Sequence, residues 1–402
     1  MSPRSAERVR KGQGRLPYQE ALSLIALPHK GPGDGTVKRY MSRRSVWVTG
    51  DDFTPLAVEQ GLTNLKPGIT AYGGHVYSQA GLAASLAFRS TREAVADRTS
   101  RDKKFGIHTI HGFFSEAGHH DRPFVYEVTN LASNPSFPNI LVTARQPTSP
   151  SRHPRGDHYL EADGDMPLGP VCFSAIVTFR PSGISQFNCQ ESSPQVRYAR
   201  ILRSRRPMEW DPAPIADIEG LLAAVPGSKQ AVGLFPGLEM RKVDMRAYNA
   251  NRPMHERREL ILYRLLAPLP VKETPLPRAG VEVEISGPDA HICAHAFGAD
   301  RNGLLMVGNH AGFGREFARA ASLSYSFVVH VNAEDAVMKY CEDDEDDEQW
   351  WIQETSFPRV QVGRGIVHSK IWSPRGQHVA TEYQDGIVRR LPRDGDEVKG
   401  KL

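Results

Sequence analysis

The feature that most constrains the fold is a segment of small and apolar residues, "YGGHVYSQAGLAASLAFRS", at residues 72–90. Its apolar positions recur at steps of three and four residues: Val76, Ala80, Ala83, Ala84 and Ala87. This spacing predicts a helix that begins behind two glycines. Because apolar residues cover most of its faces, the helix has to be buried. Strand-like stretches precede it, "LSLIAL" and "VKRYMSRRSVWVTG", and four more follow it, "GIHTIHGFFS", "PFVYEVTNLA", "NILVTARQ" and "VCFSAIVTFRP".

The second half of the chain repeats this order. The strand-like stretches "EMRKVDMRAY" and "RRELILYRLL" precede an apolar helical stretch, "DAHICAHAFGADRNGLL". Four further strand-like stretches follow it, "ASLSYSFVVHV", "QWWIQETSF", "GRGIVHSKIWS" and "QHVATEYQDGIVRRL", the last two joined by a hairpin turn at "SPRG". The pattern predicts an α+β fold with two tandem units, each a long helix wrapped by an antiparallel β-sheet.

These patterns also predict the domain boundaries. We place an N-terminal unit at residues 17–185 and a C-terminal unit at residues 233–395. The segment 186–232, which is rich in proline and arginine, is expected to link them. A disordered basic arm at 1–16 and a tail at 396–402 complete the chain; a mitochondrial presequence is the alternative for the arm.

Composition argues against several classes of function. The net charge is only +4, from 50 basic and 46 acidic side chains, which is too even a balance to indicate a nucleic-acid partner. No apolar run approaches the roughly 18–20 residues that cross a bilayer, so no membrane span is expected. The four cysteines form no CxxC pair, and the histidines of "HTIH", residues 108–111, would point to opposite faces of a strand. No metal site is therefore predicted.

Seven motifs together resemble the acyl-CoA thioesterase II family. In chain order they are "AYGGHVYSQA", "HTIHGFF", "PFVYEV", "HAFGAD", "ASLSYSFVVH", "GRGIVHSKIW" and "VATEYQDGIVR", and they follow the family's order over roughly residues 17–392. The resemblance implies a double hotdog, with the two sheets joined side by side and the site where the units meet. It also implies hydrolysis of fatty acyl-CoA to the free acid and coenzyme A, without a metal or organic cofactor.

The resemblance implies three catalytic residues that hold the attacking water: Asp300 of "AFGAD", Ser322 of "ASLSYS" and Gln384 of "TEYQDG". Without the alignment, Asp300 would be interpreted as a turn residue that ends a helix, and the other two as polar positions on strands. The chain departs from the family at Ser324 and Tyr325, where members commonly have Asp-His. This departure puts the rate or the substrate preference in doubt.

The chemistry of these residue types fits hydrolysis. An aspartate with its ordinary pKa of about 3.9 is a poor base at neutral pH, but burial at the end of an apolar helix would raise that pKa. A hydroxyl and an amide can orient one water for attack. The candidate substrate-binding residues are Gly73, Gly74, His75, Arg364 and Gly365. For the two glycines, close packing of the helix start is the alternative to contact with the ligand.

Other functions stay open from the sequence. A serine-hydrolase thioesterase would need a GxSxG elbow, which the sequence lacks. A hotdog hydratase and a non-catalytic acyl-CoA binding protein are the remaining alternatives. Assembly into a homo-oligomer is usual for this fold, but the sequence leaves the oligomeric state and the preferred acyl length open.

The last three residues, Gly-Lys-Leu at 400–402, are similar to the peroxisomal tripeptide Ser-Lys-Leu. This similarity predicts a peroxisomal location through an import receptor, with a cytoplasmic location and chance similarity as the alternative. Deleting the tripeptide and following a tagged protein tests this expectation.

Overall fold

The fold is known from a computed structural model of the chain. The structure describes residues 15–28, 37–48, 70–95, 103–132, 134, 136–152, 158–213, 235–301, 303–312, 317–343 and 347–390. Residues 1–14 of the arm predicted at 1–16 lie outside the described residues. So do residues 214–234 of the segment expected to link the units, and the C-terminal tripeptide. The expectations about these segments stay predictions.

The described residues form one antiparallel sheet of thirteen strands. The strands are β1 (Leu24–Leu27), β2 (Val37–Ser42), β3 (Phe105–Phe114), β4 (Val125–Ala132), β5 (Asn139–Pro147), β6 (Leu168–Pro181), β7 (Asp211–Pro212), β8 (Leu238–Lys242), β9 (Glu259–Leu265), β10 (Phe317–Val329), β11 (Trp351–Gln361), β12 (Arg364–Trp372) and β13 (His378–Arg390). Their order across the sheet is β1-β2-β4-β5-β6-β3-β10-β13-β12-β11-β9-β8-β7. The first six strands in this order belong to the N-terminal unit, and β3 pairs with β10 to join the two units side by side.

Three longer helices lie against this sheet. Helix α1 (Gly73–Val95) is the helix predicted from the small-residue segment, and it extends five residues beyond the predicted end. The second predicted helix is broken into α2 (Pro288–Ala299) and α3 (Gly303–His310). The break places Asp300 immediately after the last residue of α2. The two-unit α+β architecture is therefore confirmed.

Several single helical turns complete the described part of the chain. They are Tyr18–Ala21, Glu161–Asp165, Pro194–Arg197, Ala199–Leu202, Pro207–Glu209, Arg246–Asn249, Met254–Glu256, Ala333–Ala336 and Asp347–Gln349. One of these turns changes a predicted strand: "EMRKVDMRAY" is extended only as far as Lys242. The Asp244 carboxylate accepts a hydrogen bond from the Arg246 backbone N–H at 3.0 Å, which favours a turn over continued strand.

One apolar core runs through both units. Helices α1 and α2 cross within it, and small side chains let them approach closely. A Cβ atom on Gly81 would lie 2.7 Å from the sulfur of Cys293 and 3.0 Å from the Ile110 side chain. Because such distances are shorter than van der Waals contact, a larger residue here would force the Cys293 and Ile110 side chains to shift. The small residues of the sequence thus bring the two helices together.

The segment expected to link the units is partly structured. Tyr198 and Trp210 pack with Trp372 in a second apolar cluster, which also contains residues of β9 and β11. Strand β7 extends the sheet by pairing with β8. The described residues 194–213 therefore cover one face of the C-terminal part of the sheet, because their aromatic side chains supply apolar surface. Among the described helices, none is long and apolar enough to span a membrane.

Candidate active site

The break between α2 and α3 fixes the position of Asp300. The last carbonyl groups of a helix lack partners within the helix. Here the Tyr325 hydroxyl donates to the carbonyl of Ala296 at 2.9 Å, and the Gln353 amide donates to that of Ala299 at 2.8 Å. Side chains from β10 and β11 thus hold the helix end from which Asp300 projects. Tyr325, one of the two departures from the family pattern, serves as this polar support.

A β-bulge brings Ser322 to the same point. The pairing of β10 with β13 shifts between Ser322 and Ser324, so that Leu323 is an extra residue on β10. A bulge redirects the side chains beside it, and consecutive residues can then face one side of the sheet. Ser322 and Leu323 accordingly both line the same cavity.

The regular alternation of side chains along β13 brings Gln384 to the same cavity. On β13, Glu382, Gln384 and Val388 are buried on the helix-facing side, whereas Tyr383 is 45% exposed on the other side. Gln384 lies opposite Tyr325 in the ladder between β13 and β10. Its amide therefore points toward the end of α2.

The three residues meet in a hydrogen-bonded group. The Gln384 amide nitrogen donates to the Asp300 carboxylate and, at 2.9 Å, to the Ser322 hydroxyl. The Ser322 hydroxyl in turn donates to the same carboxylate oxygen at 3.4 Å. The structure thus brings together the three candidate catalytic residues, from one helix end and two neighbouring strands.

The N-terminal unit contributes a fourth donor. The backbone N–H of Gly74, in the first turn of α1, donates to the second carboxylate oxygen of Asp300 at 2.6 Å. The first N–H groups of a helix have no partner within the helix and favour a negative charge. A Cβ atom on Gly73 would lie 3.1 Å from this oxygen, and one on Gly74 would lie 2.7 Å from the Tyr72 ring. The paired glycines therefore permit the contact between the two units.

Burial changes the acidity of Asp300. The residue is 8% exposed, and burial raises the pKa of its carboxyl to about 6. The hydrogen bonds from Gly74, Gln384 and Ser322 favour the ionised form and oppose this rise. The result is a carboxylate that is ionised at neutral pH and yet accepts a proton more readily than an exposed aspartate.

The group lies at a cavity of about 600 Å³, a volume within the usual range for ligand sites. Asp300, Ser322 and Gln384 line it together with Arg301 and Glu116. Its apolar wall includes Tyr72, Val76, Phe114, Phe124, Phe173 and Leu304, which belong to both units. The cavity therefore offers apolar surface beside a small polar group.

Of the candidate substrate-binding residues, only Gly73 lines this cavity. Gly74 contacts Asp300 instead. His75 is 1% exposed within the core, and burial lowers the pKa of its imidazole to about 3. Arg364 is exposed at the start of β12, and the position beside it, Gly365, is packed against the side chain of Val307. The structure therefore does not place His75, Arg364 or Gly365 against this cavity.

Most lining residues were not among the candidates from the sequence, and two of them, Arg301 and Tyr72, contact the end of α2 or the aromatic side chains beside it. The Arg301 guanidinium lies 4.2 Å from the Trp47 ring centre and 4.8 Å from that of Phe235, in cation–π contacts. Tyr72 donates its hydroxyl to the carbonyl of Phe297 near the end of α2. Arg301 follows Asp300 and Tyr72 precedes Gly73 in the sequence, and this adjacency was the only sign that they line the site.

No group of three histidine, cysteine, aspartate or glutamate side chains suited to a metal ion occurs among the described residues. In the "HTIH" segment, the His111 imidazole is hydrogen-bonded to the Ser326 hydroxyl at 3.0 Å. The His108 imidazole lies 3.5 Å from the Thr178 hydroxyl and near the Phe137 ring, with 6.0 Å between the ring centres. The two histidines therefore do not point to opposite faces as expected, because a bulge between Ile107 and Thr109 adds one residue to β3.

Comparison with known proteins identifies the fold. The chain matches no model of a protein family and no curated protein. Among solved structures it is similar to an acyl-CoA thioesterase II, TesB2, from Mycobacterium marinum, with 19% identity, a TM-score of 0.53, and coverage of 94% of this chain and 99% of that one. A tesB protein from Mycobacterium avium subspecies paratuberculosis is 15% identical, with a TM-score of 0.50 and coverage of 92% and 98%. The double-hotdog fold predicted from the sequence is confirmed.

Proposed function

We propose that this chain is an acyl-CoA thioesterase of the thioesterase II family, which hydrolyses fatty acyl-CoA to the free acid and coenzyme A. The observation that carries the proposal is the buried Asp300, which contacts Ser322 and Gln384 at an apolar cavity between the two units. The similar solved structures support the proposal at the level of the fold. The sequence motifs support it at the level of these three residues.

In the proposed reaction, Asp300 is the general base. A water held beside the Asp300 carboxylate and the Ser322 hydroxyl attacks the thioester carbonyl carbon and gives its proton to Asp300. The carbon–sulfur bond of the tetrahedral intermediate then breaks and releases the coenzyme A thiolate, to which the proton passes. Because a thiol has a reference pKa of about 8.5, this leaving group needs no strong general acid.

The hydrogen bonds among the three side chains support the proposed orientation of the water. The Gln384 amide nitrogen donates to both Asp300 and Ser322, so the hydroxyl and the carboxylate are held at fixed positions relative to each other. Positioning a reactant in this way lowers the entropic part of the barrier. The apolar wall of the cavity, which includes Phe114, Phe173 and Leu304, is suited to the acyl chain.

The test is hydrolysis of palmitoyl-CoA by the purified protein and by Asp300→Asn. We expect measurable release of free thiol by the wild type and a fall of at least tenfold in the variant, because an amide cannot accept the proton. Asp289→Asn is the matched control. Asp289 is a buried acid in the first turn of α2, the helix that ends just before Asp300. Its pKa is also raised by burial to about 6, and it does not line the cavity.

The control is expected to keep the wild-type rate if it remains folded, as judged by circular dichroism. Equal rates for wild type and Asp300→Asn would refute the role of Asp300. Tight binding of palmitoyl-CoA without hydrolysis of any acyl-CoA would refute the enzymatic proposal in favour of a binding protein of the same fold.

A further inference from the structure

A second carboxyl group lies behind the candidate site. Glu382 is 0% exposed on the helix-facing side of β13, two residues before Gln384. Residues two apart on a strand share a face, so its side chain lies beside that of Gln384. On the neighbouring strand β12, Ser369 is its direct cross-strand partner, and this residue is also fully buried.

The surroundings of Glu382 lack a compensating positive charge. Neither carboxyl oxygen of Glu382 has a hydrogen bond of ordinary geometry to a described residue. Glu382 also takes part in none of the ion pairs among the described residues. The acid Asp300 at the end of α2 raises the pKa of Glu382, and Glu382 in turn raises the pKa of Tyr72 and Tyr77 on the α1 side and of Tyr325 on β10. The hydroxyls of these three tyrosines donate to the backbone carbonyls of Phe297, Ile110 and Ala296. The Ser369 hydroxyl faces it from β12.

An ionised carboxylate in such a place is costly, because a buried charge without a partner loses its hydration. Burial accordingly raises the pKa of Glu382 well above its ordinary value, and the nearby Asp300 adds to this rise. Asp300 has three donors that favour its ionised form, whereas Glu382 has only the nearby Ser369 hydroxyl, with which it forms no hydrogen bond of ordinary geometry. Of the two neighbouring acids, Asp300 therefore ionises first.

A chain of side chains connects Glu382 to the helix end that carries Asp300. The Ser369 hydroxyl oxygen accepts a hydrogen bond from the Gln353 amide at 3.1 Å and lies 3.1 Å from the Thr355 hydroxyl. The same Gln353 amide nitrogen donates to the carbonyl of Ala299, the residue before Asp300. If Ser369 donates its own proton to Thr355, its second lone pair is left for a donor on the Glu382 side.

We propose that Glu382 is a positioning residue of the hydrolysis, which stays protonated and donates a hydrogen bond to the Ser369 hydroxyl oxygen. It thereby orders the Ser369–Gln353–Ala299 chain that holds Asp300. This inference rests on the proposed function. A protonated carboxyl supplies the donor that the chain needs. It also leaves Asp300 as the single negative charge of the pair, so that no second charge opposes the oxyanion formed on the thioester.

The protonation can be tested without any substrate. The unfolded chain releases the Glu382 proton above the ordinary pKa of about 4.3, whereas the folded wild type retains it. The wild type therefore loses stability with rising pH relative to Glu382→Gln, which has no such proton. Urea unfolding at pH 5.5, 6.5 and 7.5 should show the ratio of the two unfolding constants changing about tenfold per pH unit in favour of the variant. A ratio that does not change with pH would show an ionised Glu382 and overturn the proposal.

The positioning role is tested by kinetics with palmitoyl-CoA. Glu382→Gln carries a donor and an acceptor, as the neutral acid does, and is expected to keep kcat within about threefold. Glu382→Met has similar length but no donor. It is expected to lose about tenfold in kcat with less than a twofold change in KM, because Asp300 is displaced while the acyl cavity is intact.

The outcomes of the two experiments are distinct. An unchanged kcat in Glu382→Met would overturn the positioning role, as would an equal loss in a folded Glu382→Gln. If the wild type hydrolyses no acyl-CoA, the proposed function fails, whereas the unfolding experiment still decides the protonation state of Glu382.

Discussion

The acid side of the pH–rate profile tests the role of burial at Asp300. Because the carboxyl must be ionised to act as a base and burial raises its pKa to about 6, kcat/KM for palmitoyl-CoA should fall below a midpoint near pH 6. With that pKa, about one eleventh of the enzyme is ionised at pH 5, so the rate there should be roughly a tenth of that at pH 8. An aspartate with an ordinary pKa of about 3.9 would still be roughly nine-tenths ionised at pH 5.

The assay follows the loss of palmitoyl-CoA by chromatography between pH 4.5 and 8.5, since the free enzyme's pKa values govern kcat/KM. Circular dichroism at each pH establishes that the protein stays folded. Ser322→Ala tests the direction in which the midpoint of the pH–rate profile moves when a hydrogen bond to Asp300 is lost. It removes a donor that favours the ionised carboxylate, so the midpoint should move to higher pH while the rate on the plateau falls.

A midpoint below pH 5 in folded protein would refute the prediction, because burial would then not set the pKa of the Asp300 carboxyl. A downward shift of the midpoint in Ser322→Ala would refute the assigned hydrogen bond. Either result would leave the fold unaffected and would remove the explanation of why an aspartate can act here near neutral pH.

Two further variants test how the site is held. Tyr325→Phe leaves the carbonyl of Ala296 without its donor and should lower the free energy of unfolding by about 1–3 kcal/mol in urea titrations. Tyr383 is half-exposed, so the control Tyr383→Phe should change this free energy by less than about 0.5 kcal/mol. Gly303→Ala would place a Cβ atom 2.8 Å from the Gln384 amide oxygen and should reduce kcat several-fold. In the control Gly169→Ala the nearest atom would lie 3.5 Å from the new Cβ atom, so kcat should not change. Equal kcat in both variants would contradict the role of Gln384.

The sequence predicted the helices and strands well where their apolar period was clear. The segment around Gly81 is an example, since its small residues are needed at the crossing with α2. The end of the strand in "EMRKVDMRAY" could not be predicted in this way. The hydrogen bond that the Asp244 carboxylate accepts from the Arg246 backbone N–H leaves no trace in an apolar pattern. The aromatic residues Tyr198 and Trp210 likewise gave no periodic signal, although they pack the supposed linker onto the sheet.

For the site, the resemblance selected Asp300, Ser322 and Gln384, and the structure brings these side chains together. Periodicity could not have done so for Ser322, because the bulge at Leu323 changes which side chains face inward. His75 was misplaced as a substrate contact, because one further step along a helix turns the side chain by about 100° into the core. Glu382 also escaped notice, since a charged residue next to Tyr383 gives no sign of which face it occupies.

The hydrogen bond from Gly74 to Asp300 joins the two halves of the chain, so that under the proposed function neither half alone would contain a complete reaction centre. The C-terminal half supplies Asp300, and the N-terminal half supplies the backbone N–H of Gly74 that donates to its carboxylate. Two identical units assembled as a symmetric pair would build such a centre twice, and every substitution would alter both copies. In a tandem chain the two halves can differ, and here the helix of one half is continuous whereas that of the other is broken at Asp300.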